Sequence, residues 1–308
     1  MGSNPIPGTF HSTHGTQGEE GSYEDYLREV KRNAPTTIQS KQRIIKRLKK
    51  RVNIWDTSEV EKYLINAEMT NGHKNSIGFA YQDWCLWNGF EYTPLRFKRQ
   101  DKLPYIPSES DIDQLIAGNG RKIASFLQFL KESACRPIEA WRITSEDVDL
   151  NQQVCYINKP AKGSNPRVFK MSDKLTAMVT RLIRETSREQ RIWNGELKTI
   201  TRNFQRKRTI LSERLANTNL KKISFKTFRH WKATNEYHRT KDILHVKRML
   251  GHRRIENTLV YTHLIDFDED DGYTVKVASS GEEFTELLES GFEYVSDYEG
   301  RKVLRKRK

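Results

Sequence analysis

No run of apolar residues in this chain is longer than four, as at Trp84–Trp87 and Val154–Ile157. A helix that spans a bilayer needs about 20 apolar residues, and the core of a signal peptide about 7–15. Both are excluded on these grounds, and a soluble, intracellular protein without membrane partners is expected. What remains is a succession of amphipathic segments whose type is read from the spacing of their apolar positions. With 308 residues, 31% charged and 35% apolar, the chain has room for about two domains and is too apolar to be disordered throughout. Three cysteines, Cys85, Cys135 and Cys155, lie 50 and 20 residues apart. An odd, unpaired set argues against a disulfide framework and against a structural zinc site.

Lysine and arginine outnumber aspartate and glutamate by 54 to 40, a formal charge of +14. That charge is unevenly spread. Residues 266–299 hold twelve acidic residues and one basic residue, Lys276, a net of −11, so the remainder carries +25. A strongly basic body is the electrostatic footprint of a nucleic-acid binder, although a solvated basic surface would look the same at this level. The acidic stretch is followed by a basic tail, residues 301–308.

Residues 1–21, rich in Gly, Ser, Thr and Pro, read as a disordered leader. Helical spacing begins at Tyr23 and covers Thr37–Val52. Asp56 with Glu59 three residues later forms a capping box that opens a helix through Met69. A third helix, Asn75–Asn88, carries Phe79, Tyr81, Trp84 and Trp87, most of which read as core. The basic stretch 97–108, with Pro104 and Pro107, reads as a linker, placing domains at 22–98 and 109–265 with 99–108 between them. Ser108 with Asp111 caps the next helix, a second spans Lys122–Ser133, and Pro137 suits the first turn of another. The period then changes to strand at Val154–Ile157 and Arg167–Phe169, flanking a turn at 162–166. Helices resume from Asp173. After Asp271 the pattern is strand (Tyr273–Val277), helix (Gly281–Ser290) and two short strands. The expected class is mainly α with a small β-sheet and a βαββ-like C-terminal extension over 266–308.

Two local patterns carry chemistry. In Ser224–Trp231, Lys226 and Arg229 stand three apart on one helix face beside Phe225 and Phe228, with Ser224 as N-cap. Two cations on one side of a buried helix call for an anion, and phosphate fits. In the second, Leu250-Gly251-His252 precedes Tyr261 by nine residues. At about 3.6 residues per turn a continuous helix would put His252 and Tyr261 on opposite faces, so Gly251 is expected to break it. A tyrosine, with an unperturbed pKa of about 10, is a useful nucleophile only beside cations.

Together, Arg136, Lys162, Lys226-x-x-Arg229, Leu-Gly-His252 and Tyr261, in that order over about 125 positions, resemble the signature of the tyrosine recombinase (phage integrase) family, closest to its archaeal and Xer-type members. The strings Arg136-Pro-Ile-Glu-Ala, Ala161-Lys162-Gly163 and Gly251-His252 through Tyr261-Thr262-His263 carry the likeness across about 102–265. Residues 22–98 match the family's helical core-binding domain in character only. One position departs: the family's usual His-x-x-Arg here begins with Lys226. An unperturbed lysine, with pKa about 10.4, is protonated, which disfavours a proton-accepting role.

The resemblance implies a core-binding domain and an α+β catalytic domain forming a C-shaped clamp on DNA. Tyr261 would attack a phosphodiester to give a 3′-phosphotyrosyl bond and a free 5′-hydroxyl. Arg136 and Arg229 would hold the non-bridging oxygens, Lys162 would protonate the leaving oxygen, and His252 would hydrogen-bond the phosphate. Lys226 would add positive potential or shuttle the tyrosine proton, and Glu139 would orient Arg136. The scheme needs no cofactor, metal or ATP. Lys41, Arg43, Lys46, Arg47, Lys49 and Lys50 are expected to contact DNA phosphates. The implied partners are double-stranded DNA, a homo-oligomer on it (a dimer per site, a tetramer in exchange) and an accessory protein, in the cytoplasm at the nucleoid. A catalytically silent DNA-binding protein and a resolvase- or topoisomerase IB-like strand transferase are the competing readings. For the extension, docking into a neighbouring protomer, covering a basic cleft and a solubilising role remain open.

Overall fold

A computed structural model describes residues 22–99, 102–185, 190–264, 273–298 and 300–307. Residues 1–21, expected to be a disordered leader, and the acidic stretch 266–272 lie outside these. The chain divides into two compact units, Met1–Lys102 and Leu103–Lys308.

In the first unit a single turn, α1 (Tyr23–Asp25), is capped by Ser22 and runs into a π-helical turn over Tyr26–Val30. Then follow α2 (Pro35–Leu48), α3 (Thr57–Asn66) and α4 (Asn71–Trp87). Asp56 caps α3 through the amides of Ser58 and Glu59, but its own amide donates to the Asn53 carbonyl and not to Glu59 as a capping box requires, and the helix stops at Asn66 because Ala67 is extended. Helix α4 starts four residues earlier than the apolar spacing predicts, since Thr70 accepts from the His73 amide and caps it. The core joins Ile45, Leu48, Val60 and Leu64 to Ile77, Tyr81, Trp84 and Cys85. The Tyr81 hydroxyl donates to the Ile54 carbonyl at 2.8 Å, which satisfies its one buried polar group. Phe79 stays 38% exposed, with the Arg96 guanidinium over its ring.

The second unit opens with α5 (Glu109–Ala117), capped reciprocally by Ser108 and Asp111, then α6 (Arg121–Ser133) and α7 (Pro137–Trp141). An antiparallel sheet follows in the order β1-β2-β3, made of β1 (Val148–Asp149), β2 (Val154–Ile157) and β3 (Arg167–Lys170), with Ile157 opposite Arg167. Next come α8 (Asp173–Ile183), α9 (Leu197–Arg214), α10 (Phe225–Thr240), α11 (Ile243–Leu250) and α12 (Glu256–Leu259), which passes into a 3-10 turn at Val260–His263. Phe126 of α6 is the hub of the core. It meets Trp141, Trp193 and Phe225 edge to face at 5.5, 5.3 and 5.2 Å. Each such pair contributes about 0.5–1.5 kcal/mol beyond area burial, so this cluster fixes α6 against α10.

The C-terminal βαββ element comprises β4 (Tyr273–Ala278), α13 (Gly281–Glu289), β5 (Glu293–Tyr298) and β6 (Arg301–Arg307), in the order β4-β6-β5. The two strands expected after the helix are present, and the basic residues 301–307 form the central one. Leu304 is fully buried with Ala278, Leu287 and Phe292. The neighbouring lysines lie over aromatic rings, Lys302 above Phe284 and Tyr294, Lys306 above Phe292. Residues 273–308 carry seven basic and seven acidic side chains. The folded element is thus charge-balanced, and the excess acid of the extension lies in residues 266–271. Among the described residues no helix is long and apolar enough to cross a membrane.

Candidate active site

The site begins where α6 ends. Ala134 adopts a left-handed conformation (φ 51°), and Arg136 becomes the N-cap of α7 in an extended conformation. Pro137 accounts for this, because a proline disfavours helical dihedrals in the residue before it. Glu139, at the third position of α7, accepts from the Arg136 amide and from Arg136 Nη1, both at 2.9 Å. It also accepts from the Ala161 amide at 3.0 Å and from Arg167 Nη2 at 2.6 Å. Burial alone would raise its pKa. The Arg167 charge and hydrogen bond, with the two amides, outweigh that and hold the carboxyl at about 2. One buried carboxylate thereby ties α7, the loop after β2 and strand β3 into a single frame.

That frame presents the loop between β2 and β3. Lys162 sits exposed at its turn with φ 55°, followed by Gly163, and the Ser164 hydroxyl accepts from Arg136 Nη1. Arg136, Lys162, Gly163, Ser164, His252 and Arg253 line a recess of about 280 Å³. Gly251 holds the opposite wall. It ends α11 with φ 68°, and its carbonyl accepts from the Asn165 amide at 2.9 Å. A Cβ there would stand 2.9 Å from the Asn165 carbonyl oxygen and 3.1 Å from Arg167 Nη1. Only glycine fits both the backbone conformation and the approach of the loop.

Helix α10 starts at Ser224, whose amide donates to the Thr227 hydroxyl, and buries Phe225 and Phe228. Arg229 is 5% exposed. Its Nη1 donates to the Ala134 carbonyl at 2.6 Å, and its Nη2 to the Leu250 carbonyl at 2.8 Å and to His252 Nε2 at 2.9 Å. Burial, then Arg136 and Arg167, lower its pKa to about 10, so it keeps its charge at neutral pH. Because an arginine can only donate, His252 Nε2 accepts, and Nδ1 carries the proton toward the Thr258 hydroxyl 2.9 Å away. Burial and the Arg229 charge bring the His252 pKa down to about 4, consistent with this neutral form.

Tyr261 lies on the 3-10 turn, 2% exposed, packed with Ala134, Ala233, Val246 and Leu250. Burial raises its pKa, while the charges of Arg229 and Arg136 pull the other way. Its hydroxyl is 3.1 Å from His230 Nδ1. His230 is not among the residues expected from the sequence. Its signal is present there, for it follows Arg229 and stands one helical turn beyond Lys226. Lys226 itself is exposed and makes no hydrogen bond or ion pair among the described residues. Arg167 and Ser164 also escape sequence reasoning, since only the register of β2 on β3 and the loop turn bring them to Glu139 and Arg136.

In the first unit Arg43, Lys46, Arg47, Lys49 and Lys50 are exposed on or just after α2. Lys41 differs. Its ammonium is paired with Asp83, a carboxylate that it shares with Lys31 at 3.1 Å, so its charge is partly compensated within the protein.

A profile of the phage integrase family matches residues 108–266. The tyrosine recombinase XerD of Staphylococcus epidermidis is 26% identical over 177 residues, covering 52% of this chain and 59% of that protein. The tyrosine recombinase XerC of Anoxybacillus flavithermus is 25% identical over 183 residues, 54% of this chain and 60% of that one. The match thus spans less than two thirds of these relatives' length. Among solved structures, the fold is similar to the Tn1549 transposon integrase in complex with transposon right end DNA (TM-score 0.64, 13% identity, 80% of this chain and 95% of that one). It is also similar to the XerH site-specific recombinase bound to difH substrate (TM-score 0.51, 15% identity, 70% and 68%).

Proposed function

The chain belongs to the phage integrase family, and on that premise we propose that it is a site-specific DNA recombinase working through a 3′-phosphotyrosyl intermediate. One observation carries the reading: Arg136, Lys162 and His252, up to 116 positions apart in sequence, line one recess, and Arg229 is hydrogen-bonded to His252. Nothing in an ordinary core requires that much positive charge to converge on one recess. A phosphodiester supplies the matching anion.

In this scheme a phosphate enters the recess and meets Arg136, which reaches it from the exposed side. Arg229 is fixed by two carbonyls and acts as an oriented buried charge, where electrostatic stabilisation of a phosphorane is strongest. Tyr261 Oη bonds to phosphorus, the bond to the 5′-oxygen breaks, and Lys162 delivers a proton to that oxygen. His252 Nε2 accepts from Arg229 and so helps hold that guanidinium toward the phosphate. The exposed cations of α2 and its C-terminal end hold the duplex. A dimer on each site and a tetramer in exchange, with an accessory protein, acting at the nucleoid, complete the proposal.

The test is covalent trapping. Duplexes of randomised sequence, each carrying a nick that lets the 5′-hydroxyl fragment escape, are incubated with the protein and assayed for an SDS-resistant adduct. The wild type should form one and Tyr261→Phe none. Absence of an adduct from the wild type would leave only a DNA-binding protein, and an adduct surviving in Tyr261→Phe would overturn the choice of nucleophile.

A further inference from the structure

We propose that His230 is the base of the cleavage step: its Nδ1 accepts the phenolic proton of Tyr261 as Oη bonds to phosphorus. This deepens the recombinase reading and rests on it. The two rings are 5.8 Å apart, tilted by 47°, and Nδ1 lies 3.1 Å from the hydroxyl. That is within the reach a proton acceptor needs.

The other groups nearby are less suited to the task. His252 has both nitrogens engaged, one by Arg229 and the other by Thr258. Lys226, for which the sequence suggests a proton shuttle, is exposed one turn before His230 on α10 and does not hydrogen-bond Tyr261. An ammonium moreover has no lone pair with which to accept. What Lys226 contributes is charge. Burial first, then Lys226 and Arg229, lower the His230 pKa to about 4, so its imidazole is neutral at physiological pH and its lone pair is free.

A weakly basic imidazole does not deprotonate a buried phenol before attack. The proton moves as the Oη–P bond forms, when oxygen donates its electrons to phosphorus and becomes acidic. The atoms balance: Oη–P forms, the P–O5′ bond breaks with its pair going to O5′, Lys162 protonates O5′, and the phenolic proton resides on His230. The imidazolium so formed sits beside Lys226 and Arg229. It is therefore poised to return the proton to Tyr261 when a 5′-hydroxyl attacks the phosphotyrosyl bond and the strand is rejoined.

The duplex sequence that the wild-type protein selects from the nicked pool serves as the probe. His230→Ala and His230→Asn should each form adduct about 10²-fold or more slowly, the usual range for loss of a general base, while binding the same duplex as the wild type does. Added imidazole should restore the rate of His230→Ala. A 5′-bridging phosphorothiolate, whose sulfur leaves without protonation, should rescue Lys162→Ala and leave both His230 variants slow. Wild-type rates in both His230 variants would overturn the proposal, and faster cleavage would instead make His230 a latch on a stored tyrosine. A defect that imidazole does not relieve, or that the phosphorothiolate does, would also overturn it. No adduct from the wild type would remove the recombinase reading itself, a result separable from all of these.

Discussion

Replacing Glu139 with glutamine isolates the charge that holds the site together. The glutamine keeps the size and one oxygen acceptor of the glutamate, but it removes the anion between Arg136 and Arg167. The Glu139 side chain is fully buried and Arg167 nearly so. A carboxyl held at about 2 instead of its ordinary 4.5 corresponds to about 3 kcal/mol of linkage, at roughly 1.4 kcal/mol per unit. Losing one partner of a buried pair costs about 3–5 kcal/mol by the same physics, since a charge is left uncompensated. The sign follows from the direction of the shift. A depressed carboxyl stabilises the folded state above its unfolded pKa of 4.5, and the contribution fades as pH falls toward 2. Urea unfolding followed through Trp141 and Trp193, both buried in this unit, should therefore show a loss of about 3 kcal/mol at pH 7. The gap between wild type and Glu139→Gln should narrow below about pH 4. A loss under about 1 kcal/mol, or one independent of pH, would show that the carboxylate acts by shape alone.

Other outcomes follow from particular side chains. Gly251→Ala forces a Cβ to within 2.9 Å of the Asn165 carbonyl in a left-handed conformation. It should cost about 2 kcal/mol or more, read as a lower urea midpoint, together with slower adduct formation. Removing Arg43, Lys46, Arg47, Lys49 and Lys50 should flatten the salt dependence of duplex binding by about 0.9 in log–log slope for each phosphate no longer neutralised. Lys41→Ala should change that slope less than the loss of any one of these five, because Asp83 already holds the Lys41 ammonium. Leu304→Ala empties the centre of the βαββ element and should cost about 2–5 kcal/mol. The element should then unfold locally, seen as faster amide exchange in β4 and β5 with the α6 and α10 amides still protected.

What is legible in the sequence is local. Ser108 with Asp111, Asp56 and Ser224 announce helix starts because a cap is a hydrogen bond across three residues. Pro137 sets the extended conformation of Arg136, and Gly251 the break before His252, each through its own backbone preference. The set Arg136, Lys162, Arg229, His252 and Tyr261 is legible by its order along the chain, which resembles the family's signature. Helix boundaries are less exact: α4 begins four residues early because the Thr70 cap outweighs a first turn poor in apolar residues.

Only the tertiary structure decided which cations are free and which group meets Tyr261. Lys41 and Lys46 stand on one helix, yet a distant Asp83 pairs with the first and not with the second. Lys226 and His230 share a face of α10, and it is the turn after α12 that brings Tyr261 to the second. The basic run 301–307 lies within an expected βαββ pattern, but only strand pairing shows that it is the central strand, with Leu304 buried and lysines over aromatic rings. Spacing along a chain determines the angle at which a side chain leaves its helix or strand. Its charge state and its partner depend on burial and on through-space fields, to which residues a hundred positions away contribute as much as neighbours.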